Sequence, residues 1–305
     1  MTPKLRIGTR GSPLALIQAE AVGGALMRAH AALEIEYCVV RTSGDRIQDR
    51  PLAEVGGKGL FTKEIEQALF DNQIDLAVHS MKDVETFLPD GLSIVAMLPR
   101  EDPRDVLLSA NRESLDALPE GARIGTSSVR RQAQLLHRRP DLRVVPFRGN
   151  VQTRLRKLGE GEADATLLAA AGLKRLAQLG VMTQMLEADV ILPSAGQGAI
   201  GVEARTADTE TLALLAAINH RETEICVSAE RAMLGALDGS CRTPIGALAE
   251  LDGSGKTLRL RGLVARPDGS ELHRRERSAA TGDAIAMAAD LGAELRALMT
   301  ADFFS

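Results

Sequence analysis

The sequence predicts an α/β fold of two similar halves followed by a small α+β domain, and three observations carry that prediction. Up to about residue 200, short apolar runs alternate with stretches of helical spacing, the pattern of successive βα units. Two segments interrupt that pattern: the charged Arg100-Glu101-Asp102-Pro103-Arg104-Asp105 and the small-residue run Leu192 to Gly201, which read as a crossover out and a crossover back. Beyond Pro244 the pattern becomes strands joined by Asp252-Gly253-Ser254-Gly255 and Pro267-Asp268-Gly269-Ser270 turns. Two crossovers between two α/β units describe a binding-protein architecture with its ligand in an interdomain cleft. The expected division is residues 1–99 with 200–217 for domain 1, 100–199 for domain 2, and 218–305 for a third domain with a three-stranded antiparallel sheet.

The first unit opens with a strand over Leu5–Thr9, a turn over Arg10-Gly11-Ser12-Pro13, and a helix from Leu14 to His30. Ser12 suits the N-cap and Pro13 the first helical position. Arg10 and Ser12 stand where strand yields to helix, a place for anion contacts; taken alone, the motif more often marks a plain capped helix. A strand follows over Leu33–Val40. The stretch Thr42 to Gly59 is polar, has four glycines and shows no period, which reads as a mobile lid with Lys58 near its end. It is not a nucleotide-binding P-loop, because Gly59 follows the Gly57-Lys58 pair and Leu52 stands where the first glycine belongs. A helix over Phe61–Phe70 comes next, then a buried strand over Ile74–Val78 that ends in His79-Ser80-Met81-Lys82-Asp83. In open α/β sheets chemistry collects beyond the carboxyl ends of strands. Lys82 and Asp83 are read there as an extended pair pointing to opposite sides, with a surface ion pair as the other reading. A strand over Ser93–Leu98 completes the unit.

The second unit starts with a strand over Ala122–Gly125, the hydroxyl turn Thr126-Ser127-Ser128, and a helix over Val129–His137. Arg130 and Arg131 fall in its first turn, where a cation opposes the helix dipole by a few tenths to ~1 kcal/mol. That cost points to an anion held between them, against the alternative of two solvated arginines. The pattern repeats with a strand over Leu142–Phe147, then Arg148-Gly149-Asn150, then a helix from Val151 that carries Arg154. From Ala122 to Leu158 there are nine arginines and one lysine against the single acid Asp141, a local charge of +9. The planar guanidinium suits bidentate carboxylate or phosphate binding. A strand over Ala165–Ala171 and a short helix over Leu173–Leu179 with Arg175 follow. The return crossover contains Gln197 among small residues that suit a hinge.

The third domain carries the most unusual loop, Leu237-Asp238-Gly239-Ser240-Cys241-Arg242-Thr243-Pro244, between a helix over Arg221–Leu237 and a strand over Ile245–Leu251. Most lone cysteines are small buried hydrophobes, but a short polar loop is a poor place for a structural thiol. Strands over Leu258–Arg266 and Glu271–Arg277 and a helix over Ala284–Leu298 close the chain.

Composition excludes several function classes. The chain has 305 residues with 45% hydrophobic and 26% charged content, ordinary for a globular protein. Its net charge of -4 leaves anion binding to local clusters. One tyrosine and no tryptophan argue against the stacking platforms of single-strand nucleic-acid binders. Cys38, Cys226 and Cys241 are an odd, widely spaced set, so neither a disulfide framework nor a zinc site is expected. No signal peptide or membrane span is read, and the expectation is a cytoplasmic protein with no metal, nucleic acid, membrane or obligate protein partner.

The chain resembles the porphobilinogen deaminase (hydroxymethylbilane synthase) family along almost its whole length. The matching segments are Thr9-Arg10-Gly11-Ser12-Pro13-Leu14-Ala15-Leu16, Gly56-Gly57-Lys58-Gly59-Leu60-Phe61, His79-Ser80-Met81-Lys82-Asp83, Gly125-Thr126-Ser127-Ser128 with Arg130-Arg131, Arg148-Gly149-Asn150 with Arg154, and Gly239-Ser240-Cys241. The resemblance implies two periplasmic-binding-protein-like α/β domains plus a small third one. It implies a monomeric transferase of haem and tetrapyrrole biosynthesis. Such an enzyme adds four porphobilinogens to a dipyrromethane cofactor in thioether linkage to Cys241 and releases hydroxymethylbilane by hydrolysis. It further implies Asp83 as the catalytic acid. Lys82, Asp83, Thr126, Ser127, Ser128, Arg130, Arg131, Arg148 and Gly149 are then expected around the cofactor. Arg10, Ser12, Lys58, Arg148, Arg154, Arg175 and Gln197 are expected around the substrate, whose acetate and propionate groups explain the arginines. Glu85 and Ser240 depart from the family's usual Pro and Gly. The competing class is a non-catalytic cytoplasmic anion-binding protein of the same fold, which leaves Cys241 unexplained.

Overall fold

Strand follows helix in the computed structural model much as the periodicity expects; it describes residues 4–46, 61–239 and 243–304. The chain begins with β1 (Lys4–Thr9), α1 (Pro13–Ala29), β2 (Glu34–Val39), the single turn α2 (Ser43–Arg46), α3 (Lys63–Phe70), β3 (Leu76–Ser80) and β4 (Leu92–Met97). It continues with β5 (Asp105–Ser109), β6 (Arg123–Gly125), α4 (Val129–Arg138), β7 (Arg143–Val145), α5 (Val151–Gly159), β8 (Ala165–Ala169), α6 (Ala170–Arg175) and β9 (Gln184–Leu186). Then come β10 (Ile200–Arg205), α7 (Thr209–Ala216), α8 (Arg221–Ala236), β11 (Ile245–Leu251), β12 (Thr257–Ala265), β13 (Leu272–Ala280) and α9 (Ala284–Ala297). The chain forms two compact units, residues 1–101 with 199–224, and residues 102–198 with 225–305.

In the first unit a five-stranded sheet has the order β2-β1-β3-β10-β4. β1, β2 and β3 are parallel, and β10 is antiparallel to both its neighbours. The core between sheet and α1 holds Ile7, Val22, Leu26, Leu76, Val202 and Leu215, all fully buried. Burying each such side chain contributes about 1.5–3 kcal/mol. α1 starts where the sequence places it: Ser12 accepts a hydrogen bond from the Ala15 N–H at 3.3 Å, and Pro13 occupies the first turn.

The second unit contains a five-stranded sheet of order β7-β6-β8-β5-β9, in which β6, β7 and β8 are parallel and β5 is antiparallel to both its neighbours. The two sheets share one plan: second strand, first strand, third strand, then an antiparallel strand delivered by a crossover, then a last strand. This is the two-fold α/β architecture the sequence expects. The three-stranded antiparallel sheet β11-β12-β13 packs against α8 and α9 over a core of Met233, Leu260, Val264, Leu291, Leu295 and Phe303.

Four local expectations change. β5 lies where the charged crossover was read as ending; Asp105-Val106-Leu107-Leu108-Ser109 is buried along its whole length between β8 and β9. The strand expected to reach Ala171 stops at Ala169, where its pairing with Asp105 ends, and α6 starts at once. The loop from Thr42 opens with a helical turn: Thr42 is fully buried, and the Ser43 N–H donates to Glu64 at 2.8 Å. Lys82 and Asp83 lie in one 3-10 turn, not in an extended segment, because the Val84 N–H returns to the Met81 carbonyl at 3.3 Å. The remainder of the expected lid, with Lys58, lies outside the described residues. No helix among the described residues is long and apolar enough to cross a membrane.

Candidate active site

In the first unit the end of β3 is held from several sides. β3 is interior, paired with β1 on one edge and β10 on the other. The Gln18 side-chain amide, on α1, hydrogen-bonds the Ser80 hydroxyl at 2.9 Å. The Met81 N–H donates to the Ala199 carbonyl at 3.1 Å. Met81 itself is buried against Gly201 of β10, where a Cβ would force the Met81 side chain to shift. Beneath the strand end, His79 Nε2 lies 2.9 Å from Glu203 Oε2, and both side chains are buried. Glu66 on α3 is also buried. Its carboxyl is pushed up by burial and by the Glu203 charge. On this seat stands Asp83, half-buried, and among the described residues its carboxylate has no hydrogen-bond or ion-pair partner. The surface ion pair between Lys82 and Asp83, the other reading of this dipeptide, is not formed. In the same unit Arg10 lies over the Phe61 ring, 4.2 Å from its centroid, so its cation is already placed before any ligand arrives.

In the second unit β6 runs into Thr126-Ser127-Ser128, and the hydroxyls shape the turn. Thr126 Oγ1 accepts from the Ser128 N–H at 3.1 Å, Ser127 Oγ from the Phe147 N–H at 3.0 Å, and Ser128 Oγ caps α4 by accepting from the Arg131 N–H at 3.4 Å. Arg130 and Arg131 follow, both buried. The anion that their position demanded belongs to the protein itself. Asp105, wholly buried at the start of β5, accepts from Arg130 Nη2 and from Arg131 Nη2, each at 2.8 Å. Arg130 Nη1 donates to the Leu192 carbonyl at 2.7 Å and Arg131 Nη1 to the Leu167 carbonyl at 2.8 Å. Gln197, expected beside substrate, points its amide inward, to the Pro103 carbonyl at 2.6 Å and Asp105 Oδ1 at 2.9 Å. Burial by itself would favour the neutral acid at Asp105, but the two guanidinium charges prevail and hold its carboxyl well below the usual range.

The second arginine turn is built the same way. Asn150 caps α5, its side chain accepting from the Thr153 N–H at 2.9 Å. Gly149 has φ +118 and no room for a Cβ against Thr153. Arg154 Nε donates to the Gly149 carbonyl at 3.0 Å, and Arg175 Nη2 to the Gly198 carbonyl at 2.7 Å. α8 leads toward the cysteine loop. Its Glu230 is fully buried and accepts from the Gly196 and Ala249 N–H groups at 2.6 and 2.8 Å. Asp238, at φ 49, turns the chain out of the helix, and the Gly239 N–H closes on the Leu234 carbonyl at 2.9 Å. Cys241, Ser240 and Arg242 lie outside the described residues. The third sheet touches the arginine helix, with His137 Nδ1 2.9 Å from the Gly269 carbonyl.

A dipyrromethane carrying acetate and propionate groups fits the second unit's chemistry. Arg131 Nε and Arg148 Nη1 are buried without a hydrogen-bond partner among the described residues, and a carboxylate is what such donors lack. Residue-by-residue reading missed Asp105, Gln18, His79 and Glu203. Asp105 had a signal, an acid bordering the apolar run Val106-Leu107-Leu108; the others had none, because their partners are 62 or 124 residues away.

The comparisons by sequence agree on one family. A family model described as the dipyromethane cofactor binding domain of porphobilinogen deaminase matches residues 5–213, and one described as the C-terminal domain of porphobilinogen deaminase matches residues 224–301. The porphobilinogen deaminase of Paracoccus denitrificans is 56% identical over 302 residues, covering 98% of this chain and 96% of the relative. That of Nitrobacter winogradskyi is 55% identical over 301 residues, covering 98% and 95%. Among solved structures, the periplasmic VFT2 domain of Bordetella pertussis BvgS aligns over 71% of this chain and 87% of its own, with 16% identity and a TM-score of 0.43.

Proposed function

We propose, for a chain that belongs to the porphobilinogen deaminase family, that Asp83 carries its chemistry and Cys241 its cofactor. The chain is a transferase of tetrapyrrole synthesis that acts on porphobilinogen and uses a dipyrromethane cofactor. When bound, that group supplies the pyrrole terminus to which substrate is joined. The protonated amino nitrogen of porphobilinogen leaves as ammonia while its methylene carbon stays on the ring, so positive charge develops over the pyrrole ring and its nitrogen; that methylene then bonds to the free α-carbon of the acceptor pyrrole, which gives up its proton. A fixed carboxylate stabilises this state more than the neutral ground state. Asp83 is suited to it by the observation that carries the reading: a carboxylate with no partner among the described residues, on a turn anchored at Ser80 and Met81. Its oxygens are available to hold the pyrrole N–H proton. Arg10, Ser12 and Lys82 of the first unit, with Lys58, bind substrate or cofactor carboxylates. Thr126, Ser127, Ser128, Arg131, Arg148, Gly149, Arg154 and Arg175 of the second unit do the same. Arg130 and Gln197 support them from behind through Asp105. The three-domain division at about residues 99, 199 and 217 belongs to the same reading, as do a monomeric state, a thioether at Cys241 and a cytoplasmic location with reduced Cys38 and Cys226.

Intact-mass measurement tests the attachment site. Cys241→Ser protein should lack the adduct, while Cys38→Ser and Cys226→Ser protein keep it. An adduct persisting on the Cys241 variant removes the assignment.

A further inference from the structure

The buried carboxylate of Asp105 does more than neutralise two arginines. It opens β5, the first strand after one crossover, and it accepts from Gln197, which lies just before β10 at the end of the other. Gln197 also donates to the Pro103 carbonyl two residues before Asp105. Gly196, next to Gln197, is clamped by Glu230 of α8, the helix that leads to the cysteine loop. Leu192, in the same segment, accepts from Arg130 and from Gln134, and its own N–H donates to Gln134 at 2.7 Å. A continuous run of hydrogen bonds therefore joins α8, residues 192–197, Asp105 and the first turn of α4, all within one compact unit. At its end Arg131 is held by both Nη atoms, so its guanidinium plane is set, and its Nε–H is left without an acceptor among the described residues.

We propose that Asp105 is a positioning residue for cofactor attachment: with Gln197 it sets the plane of Arg131, so that the arginine turn receives the cofactor's carboxylates without rearranging. A guanidinium fixed in advance loses less freedom when a carboxylate binds. This rests on the reading of Arg131 as a cofactor ligand. The fraction of folded protein that carries the adduct should therefore depend on Asp105 and Gln197, independently of turnover.

The test measures two quantities on purified full-length variants: folding by urea titration, and the adduct-bearing fraction of folded protein by intact mass. Asp105→Asn should lower the adduct-bearing fraction at least tenfold, and Asp105→Glu, which keeps the charge, should restore part of it. Gln197→Leu removes one donor from Asp105 and leaves both guanidinium contacts. It should stay folded and lose at least threefold, which decides the matter if Asp105→Asn does not fold. Asp116→Asn, on an exposed pair with Arg138 in the same unit, is the control and should match wild type. Wild-type adduct levels in folded Gln197→Leu, or in folded Asp105→Asn, overturn the positioning role. Wild-type levels in Arg131→Met overturn it as well, and show in addition that the ligand reading beneath it was at fault.

Discussion

Asp105 and Asp83 each stand at an end of an interior strand, and their surroundings are opposite. Asp105 receives three charged or amide donors between 2.8 and 2.9 Å and has no contact with solvent. Asp83 is half-buried on a turn whose backbone is fixed, and among the described residues nothing bonds its oxygens. A wholly buried carboxylate that already accepts three donors from the protein is closed to a ligand; it sets the geometry of its donors. A carboxylate held in place with open lone pairs can answer a charge that appears only during reaction. The comparison also divides the arginines. Arg130 and Arg131 are both engaged at their two Nη atoms by internal acceptors, but Arg131 and Arg148 each retain a buried donor that has no partner among the described residues.

The strongest way to break the comparison is to neutralise each acid in turn. Asp105→Asn leaves two buried guanidinium groups without their counter-charge and should cost about 3–5 kcal/mol of stability, read as a lowered urea midpoint of the second unit. A loss under about 1 kcal/mol, the scale of an exposed pair, would show that the triad is not buried in solution. Because the Asp105 carboxyl is held below its unfolded value, its contribution is present above the ordinary carboxylate range. It is lost only as pH falls through the lower folded value, so the Asn variant and wild type should converge in strong acid.

Asp83→Asn should do the reverse. Stability should change by no more than about 0.5 kcal/mol, as for an unpartnered, partly exposed group. Turnover per adduct-bearing molecule should fall by about 10²–10³, the effect of losing one preorganised electrostatic group. Turnover within a few-fold of wild type would make Asp83 a bystander.

Lysine scanning sharpens the division among the arginines. Lysine keeps the charge but loses the planar fork. Arg130→Lys should act on stability, by roughly 1–3 kcal/mol for its lost buried hydrogen bonds. Arg148→Lys should instead lower the adduct-bearing fraction or raise KM by about tenfold, with a smaller effect on the urea midpoint. Equal urea midpoints for the two variants would erase the distinction.

The smallest effect is expected beneath Asp83. Burial and the Glu203 charge raise the Glu66 carboxyl above its ordinary value, so the folded state holds this proton more tightly than the unfolded chain. Stability then rises as pH falls from neutrality toward the ordinary carboxylate range. Glu66→Gln should be slightly more stable than wild type at neutral pH, with the difference fading below about pH 4.5. A pH-independent difference would assign the effect to packing.

Local information was enough for much of this protein. Ser12 before Pro13, Ser128 before an arginine-rich helix and Asn150 before another announce helix starts, because a cap and the turn it caps are neighbours in the chain. Alternation and turn residues placed β11 and β12 to within one residue, while β13 starts one residue later and runs three residues further than expected. The family motifs pointed to Asp83 and Cys241 before any contact was known. What local information could not supply was the partner of each charge. Arg130 and Arg131 announced an anion, but whether it came from a ligand or from the chain depended on Asp105, 25 and 26 residues earlier. His79 and Glu203 meet across 124 residues, and Gln197 turns inward to an acid 92 residues away. Short-range sterics and hydrogen bonding write themselves into neighbouring residues. The pairing of buried charges is decided by which strands the tertiary fold brings side by side, and that left no local trace at Asp105 beyond one acid beside an apolar run.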